Sequence, residues 1–279
     1  MAQLAVRIDA SQAVVNNSFG QYLMDPRCAW TVPTKPVVLT SQEVHVWLAR
    51  LDDASFCEEC CQCLLSSEEK NRASRFKFAK DRRHYIASHA ALRSTLSSYL
   101  PVAPEDLQFS TDPNGKPTLT QIPAKLLVQF NLSHSNEIAL IAVVRERQIG
   151  VDAEWVKQDF PFLEVAQRFF SAKEVAALTA LPTQLQRLAF FKCWTGKEAF
   201  LKAKGTGLSG ELDEVEIVLN PDGGVRVNGT LPNWTLVELI PSDGYVGALV
   251  FEGQQCRLKC FQWRHQLTNK LIHRHSEGS

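Results

Sequence analysis

The chain has 279 residues, 45% of them hydrophobic and 22% charged, with 30 basic residues balancing 30 acidic ones. These totals suit a soluble globular protein of one large domain or two small ones, and zero net charge gives no basis for general nucleic-acid binding. No apolar run reaches the length of a membrane span, and the first residues lack the charged start and apolar core of a secretion signal. The expectation is a cytoplasmic protein with neither nucleic acid nor membrane as a partner.

Residues 1 to 40 carry little periodicity, and Pro26, Pro33 and Pro36 break any helix, so they read as an N-terminal extension. The alternation in Glu43 to Ala49 reads as the first strand. Asp52 to Leu65 reads as a helix holding four of the eight cysteines, Cys57, Cys60, Cys61 and Cys63. Metal ligands normally come as two pairs separated by an intervening stretch. That spacing favours reduced structural thiols here, with a zinc site as the alternative. Ser67 to Phe76 opens a helix with a serine cap and an acidic first turn, and a long helix runs from Asp81 through Leu96 to end before Pro101. A strand at Leu107 to Phe109, a turn at Asp112 to Gly115, a strand at Leu126 to Leu132, a turn at Ser133 to Asn136 and a strand from Glu137 to Val144 follow. After a turn at Arg145 to Gln148 comes the short strand Ile149 to Trp155. Helices at roughly 162–180 and 183–204 are next, then strands near 213–219, 225–228, 234–240, 244–251 and 257–263.

A repeat underlies this order. Leu107 to Gly115 matches Val215 to Gly223, with Pro113/Pro221 and Gly115/Gly223 both offset by 108 residues. In each half a long helix precedes the matching strand and follows a Ser-x-x-Glu start, Ser66 to Glu69 and Ser171 to Glu174. The expected fold is α+β, with two similar subdomains related by a pseudo-two-fold axis and the active site in the cleft between them. The divisions are the extension 1–40, a first half 41–147, a second half 148–253 carrying the acidic site, and a basic tail 254–279.

In Ile149 to Trp155 the strand period of two puts Asp152 and Glu154 on one face. Two carboxylates there repel each other unless a cation or basic groups lie between them. Oxygen ligands that leave positions open for water and phosphate suit Mg²⁺. Phe190 to Lys204 reads as a helix that stops at Gly205, with Glu198 and Lys202 four apart on one face. Taken alone this is an exposed ion pair worth a few tenths of a kcal/mol; beside Asp152 and Glu154, Glu198 becomes a third carboxylate. Groups suited to phosphate surround them: Ser133 and His134 in a hairpin turn with free backbone N–H groups, and Lys116, fixed in place by Pro117. Arg72 and Arg75 lie three apart along one helix face. There is no Walker loop, no Gly-x-Gly-x-x-Gly and no nucleophile elbow.

Ile149-Gly-Val-Asp-Ala-Glu154, followed about forty residues on by Trp194-Thr-Gly-Lys-Glu-Ala-Phe-Leu-Lys202 and Gly205-Thr-Gly-Leu208, resembles the signature of the 4′-phosphopantetheinyl transferases. The two-halved, Sfp-type branch fits best. Asn131-Leu-Ser-His-Ser135, Asn114-Gly-Lys-Pro117 and Arg75-Phe-Lys-Phe-Ala-Lys-Asp81 look like that branch's secondary motifs, so the resemblance runs from about residue 43 to 251. It implies a monomeric, Mg²⁺-dependent enzyme that moves the phosphopantetheine arm of coenzyme A onto a serine of an apo acyl or peptidyl carrier protein. The by-product would be 3′,5′-ADP, and the carrier could serve fatty-acid, polyketide or nonribosomal peptide synthesis. The same resemblance implies Asp152, Glu154 and Glu198 as metal ligands and Glu198 as the candidate base. It implies Lys202, Ser133 and His134 on the phosphates, Arg72 on the adenosine 3′-phosphate, Lys116 at the nucleotide end, and Arg75, Pro117 and Asn131 in the CoA-binding set. Two alternatives stay open: another Mg²⁺-dependent phosphotransferase acting on a nucleotide, and a catalytically silent CoA- or carrier-binding module. Beyond Gly253 the tail, with Arg257, Lys259, Arg264, Lys270 and Arg274 against Glu277, reads as an exposed end kept soluble, or else as a carrier contact.

Overall fold

A computed structural model describes residues 13–15, 29–53, 56–120, 126–206, 215–227, 233–254 and 256–264. Its strands are β1 (Ala13–Val15), β2 (Glu43–Arg50), β3 (Gln108–Thr111), β4 (Pro117–Thr120), β5 (Val128–Ser135), β6 (Ile138–Arg145), β7 (Ile149–Trp155), β8 (Ile217–Leu219), β9 (Val225–Val227), β10 (Trp234–Leu239), β11 (Tyr245–Glu252) and β12 (Cys256–Gln262). Its helices are α1 (Glu58–Cys63), α2 (Ser67–Ala73), α3 (Ala79–Ser97), α4 (Phe162–Phe169), α5 (Ala172–Ala180) and α6 (Thr183–Lys204).

From β2 to β11 the described elements run through the same succession twice, a strand, three helices and four strands, first as β2 to β6 and then as β7 to β11. In the first pass β6 lies between β2 and β5, antiparallel to both; in the second β11 lies between β7 and β10, antiparallel to both. The short hairpins β3–β4 and β8–β9 also correspond. Strand alternation then makes three cores from two sheets. Val44, Val46, Leu140, Ala142, Val151, Ala153, Val237 and Leu249 share one apolar layer to which both sheets contribute. Trp47 and Ile141 instead join the side chains of α1 to α3, while Val246 and Ala248 join those of α4 to α6. The architecture is α+β, as the element pattern predicts.

The sequence repeat returns as a repeat of interactions. Both capping boxes form, Ser66 with Glu69 at the start of α2 and Ser171 with Glu174 at the start of α5. Each capping glutamate also receives a buried cation from the next long helix: Arg93 Nε lies 2.6 Å from Glu69, and Lys197 Nζ lies 2.8 Å from Glu174. Arg93 donates onward to the carbonyl of Leu107, and Lys197 to that of Val215, the first residues of the two matched segments. Buried cations are tolerated only with such partners.

Several expectations need correcting. The stretch after Gly253 is no exposed end as far as Trp263: β12 runs parallel to β2 and is flanked on its other side by β1, giving the order β1-β12-β2-β6-β5. Cys256, Leu258, Cys260 and Trp263 are buried there, and Lys259 pairs with Glu43 at 2.7 Å. Part of the N-terminal extension is tied to the same strand, through β1 and a bridge from Thr31 to Phe261. Lys270, Arg274 and Glu277, most of the first 28 residues, and Gly207 and Leu208 of the Gly205-Thr-Gly-Leu208 motif lie outside the described residues.

Ser133 to Ser135 are not a turn. They continue β5, with Ser133 opposite Leu140 and His134 opposite Ala139, so their backbone groups join a ladder rather than standing free. The turn is Asn136 and Glu137 alone; Asn136 takes a positive φ of 47°, which a short-side-chain amide tolerates well. The helix read at 52–65 contracts to α1, and the one at 162–180 divides into α4 and α5 at Phe170, where Ser171 caps the second. Strand β4, beginning at Pro117, was not anticipated. Cys57 and Cys60 form a disulfide, whereas Cys61 and Cys63 are free thiols, the first buried and the second exposed. The expectation of reduced thiols therefore holds for only two of the four. No group of His, Cys, Asp or Glu arranged to hold a metal is found among the described residues.

Candidate active site

The site is set by how closely α6 approaches β7. A side chain at Gly150 would place its Cβ 2.0 Å from the carbonyl oxygen of Ala199 and 2.4 Å from the amide nitrogen of Ala203, so only glycine allows this contact. Gly150, Asp152 and Glu154 alternate along β7 on the side opposite Ile149, Val151 and Ala153, which enter the core shared by the sheets. Helix α6 continues to Gly205, whose left-handed φ of 70° lets its N–H return to Leu201. Glu198 and Lys202 thus face the strand that carries Asp152.

Asp152 is 4% exposed, and its Oδ1 accepts from Lys202 Nζ at 2.6 Å and from Ser133 Oγ at 2.8 Å. Lys202 also reaches Ser133 Oγ at 3.1 Å. The ammonium therefore joins β5, β7 and α6, instead of forming the short i,i+4 pair with Glu198 that its spacing allows. Asp152 Oδ2 is buried and has no hydrogen-bond partner. Glu154 is held through Oε2 by Ser135 Oγ at 2.9 Å. Glu198 is 8% exposed, and no hydrogen bond or ion pair to it is found among the described residues.

The electrostatics follow from this crowding. Burial, and next the charge of Asp152, raise Glu198 from 4.5 to about 7, with Glu154 adding to the rise and Lys202 opposing it. Burial and Asp152 also raise Glu154. Burial lowers His134, and Lys202 and His84 lower it further, while Asp152 opposes them. Asp152 thus raises both Glu198 and Glu154, and Glu154 also raises Glu198, so the three acids lie within electrostatic reach of one another. The described side chains do not close into a ready three-ligand cage. Mg²⁺ does not require one, because it keeps several waters and is commonly held by one or two carboxylates together with substrate phosphate.

The remaining candidates fall at different distances from this centre. His134 is exposed at the end of β5 and feels both Lys202 and Asp152. Asn131 is buried and directs its side chain to the backbone, Oδ1 accepting from Val151 N–H at 2.8 Å. Lys116 binds the carbonyls of Ala203 at 3.0 Å and Ile149 at 3.2 Å, while Asn114 reaches the carbonyl of Gly205 at 2.6 Å. The turn thus clips the end of α6 to the start of β7, and Pro117 begins β4 on the exposed side. Arg72 and Arg75 are exposed around the end of α2, and Arg72 lies 5.7 Å from the ring centre of Tyr85. Neither contacts the Asp152 cluster among the described residues. His89 of α3 joins the two regions, since both His134 and Arg72 act on its charge. Sequence reasoning passed over Ser135, His84 and His89; reading 128–135 as one strand would have put Asn131, Ser133 and Ser135 on a common face.

Comparison with known proteins addresses the family of the chain. Residues 148–250 match the model of the 4′-phosphopantetheinyl transferase superfamily, and residues 53–146 match that of the 4′-phosphopantetheinyl transferase N-terminal region. The chain is 39% identical over 224 residues to the 4′-phosphopantetheinyl transferase HetI of Nostoc sp., covering 80% of this chain and 94% of that relative. It is 33% identical over 163 residues to the 4′-phosphopantetheinyl transferase Sfp of Bacillus subtilis, covering 58% of this chain and 70% of that protein. It is 29% identical over 167 residues to human L-aminoadipate-semialdehyde dehydrogenase-phosphopantetheinyl transferase, covering 56% of this chain and 53% of that enzyme. No described helix is long and apolar enough to cross a membrane. With a matched model over each half and an Asp152–Lys202–Ser133 centre where β5, β7 and α6 meet, the chain belongs to the 4′-phosphopantetheinyl transferase family and is an enzyme of that class.

Proposed function

We propose that this enzyme transfers the 4′-phosphopantetheine arm of coenzyme A to a serine of an apo acyl or peptidyl carrier protein, acting as a cytoplasmic, Mg²⁺-dependent monomer. The observation that carries the reading is the half-satisfied carboxylate of Asp152. One oxygen is held by Lys202 and Ser133, while the other is buried and unpartnered beside Glu198 and Glu154. Asp152 through Oδ2, with Glu198 and Glu154, would hold the metal. When bound, Mg²⁺ supplies charge neutralisation on pyrophosphate oxygens. An approximate two-fold relation between the halves, supported by their matching element order and strand pairing, would place the cleft between the donors of β5 and the acids of β7 and α6.

In this reaction the carrier serine Oγ forms a bond to the phosphorus bearing pantetheine, and the bond from that phosphorus to the bridging oxygen of the pyrophosphate breaks, releasing 3′,5′-ADP. The hydroxyl proton passes to the Glu198 carboxylate. Without a cation, burial and Asp152 raise that carboxyl to about 7, and a cation held beside it would favour its ionised, proton-accepting form. Lys202 offsets charge on the departing phosphate, and Ser133 and His134 donate to phosphate oxygens. Exposed Arg72 and Arg75 are free to take the adenosine 3′-phosphate. Lys116, engaged by backbone carbonyls, serves by holding the Asn114–Pro117 turn against the end of α6 rather than through a direct charge on CoA.

The test is the mass of an apo carrier protein after incubation with the enzyme, CoA and Mg²⁺. A gain equal to phosphopantetheine is expected. No gain across several acyl and peptidyl carriers would overturn the reading.

A further inference from the structure

The two sheets present their edge strands to each other at the site, β5 ending the five-stranded sheet and β7 the three-stranded one. Among the described residues no backbone ladder joins them. Side chains from alternate positions of β5 do so instead. Asn131 Oδ1 accepts from Val151 N–H at 2.8 Å, Ser133 Oγ donates to Asp152 Oδ1 at 2.8 Å, and Ser135 Oγ accepts from Trp155 N–H at 3.1 Å. The partners advance together, from Asn131 with Val151 to Ser135 with Trp155, so the three side chains fix one parallel register. A slip of one residue would turn Asp152 and Glu154 to the other face of the strand.

Ser135 has a second bond in this set. Its hydroxyl has one hydrogen to give, and that hydrogen goes to Glu154 Oε2 at 2.9 Å. The Trp155 N–H on the acceptor side of the same oxygen sets the direction of the hydroxyl, aiming it at Glu154 and not at solvent. One oxygen of Glu154 is thereby anchored, leaving the other carboxylate oxygen to take a cation. We propose that Ser135 is a positioning residue, orienting Glu154 for the divalent cation through a hydroxyl locked by the β7 backbone. The inference rests on the reading of Glu154 as a cation ligand. Outer hydrogen bonds of this kind commonly change metal affinity about 10–100-fold.

The experiment measures Mn²⁺ binding to the full chain by electron paramagnetic resonance, alongside the urea unfolding midpoint without metal. Ser135→Ala is expected to weaken Mn²⁺ binding about tenfold and to lower the midpoint only slightly, since Ser135 is half-buried at a strand end and gives up two hydrogen bonds there. Ser135→Thr, which keeps the hydroxyl on a residue suited to strands, is expected to restore affinity. Glu154→Gln is the reference. Weaker binding by Glu154→Gln with wild-type binding by Ser135→Ala would overturn the positioning role alone. Wild-type binding by Glu154→Gln would instead overturn the ligand reading beneath it. A lowered midpoint in Ser135→Ala that Ser135→Thr restores without restoring Mn²⁺ affinity would reduce Ser135 to a structural hydrogen bond and also refute the proposal.

Discussion

Glu198 makes the folded protein less stable than it would be without a charge at that position, and the effect has a definite dependence on pH. Its carboxyl is raised from 4.5 to about 7 by burial and by Asp152. An acid that binds its proton more tightly when folded contributes stability that is fully present below about pH 4.5 and is lost as pH rises through about 7. From 4.5 to about 7 is a rise of roughly 2.5 pH units, and at about 1.36 kcal/mol per unit the ionised group costs the folded state about 3 kcal/mol above pH 7. Glu198→Gln removes that cost. Without divalent ions the variant should be more stable than wild type by about 2 kcal/mol at pH 6 and about 3 kcal/mol at pH 8.5, while losing transfer activity. At roughly 2–4 °C per kcal/mol for a chain of this size, the melting temperature at pH 8.5 should rise by about 6–12 °C. Scanning calorimetry in EDTA at pH 6, 7 and 8.5 reads it directly. Saturating Mg²⁺ should narrow the gap, because a ligand stabilises only the folded form that binds it. Equal melting temperatures at pH 8.5, or a gap that shrinks as pH rises, would refute the reasoning.

Two further outcomes probe the scaffold. Gly150→Ala forces a Cβ against the backbone of α6 on both Ala199 and Ala203, neither of which can swing aside as a side-chain end would. It should lose about 3 kcal/mol or more in urea unfolding, and transfer activity with it, and an unchanged midpoint would deny the close approach. Lys197→Met strands the buried carboxylate of Glu174, itself 2% exposed, and should cost about 3–5 kcal/mol. Adding Glu174→Gln should recover part of that loss in a double-mutant cycle, and simple additivity of the two would show that the pair is not coupled.

What the sequence revealed and what it hid follow the range of the interactions involved. Strand β7 and the end of α6 were legible because period two, i,i+4 spacing and a glycine stop are local properties. The two capping boxes were legible for the same reason. Ser133 to Ser135 were misread because a run of Ser, His, Ser and Asn looks like a solvated turn. Its polarity serves another strand edge, where Asn131, Ser133 and Ser135 meet β7, and nothing within five residues signals that partner. In β12 the alternation of Cys256, Leu258 and Cys260 with Arg257 and Lys259 did announce a strand. Its basic side suggested a free end because Glu43, which Lys259 pairs, lies near the other end of the chain. Lys116 was read as a phosphate contact, and the carbonyls that hold it, of Ile149 and Ala203, belong to the ends of elements distant in sequence.

The matched ion pairs also show how two similar halves come to do different work. Arg93 in α3 and Lys197 in α6 hold corresponding places, each binding a capping glutamate and the carbonyl that opens the matched segment. The residue after each is then the point of comparison. In α6 it is Glu198, facing β7 in a region left open for charge. In α3 it is Ser94, whose Oγ accepts from the indole N–H of Trp263 at 3.2 Å, just beyond β12. The strand that follows the second half therefore crosses back and fills, with a tryptophan, the space beside the first-half counterpart of Glu198. In the same half the His45 imidazole and the Trp47 indole both meet the hydroxyl of Tyr99, at 2.9 Å and 2.7 Å. Closing that position with β12 leaves the first half to provide donors from β5 and to clip α6 through Lys116, while the acids gather on β7 and α6.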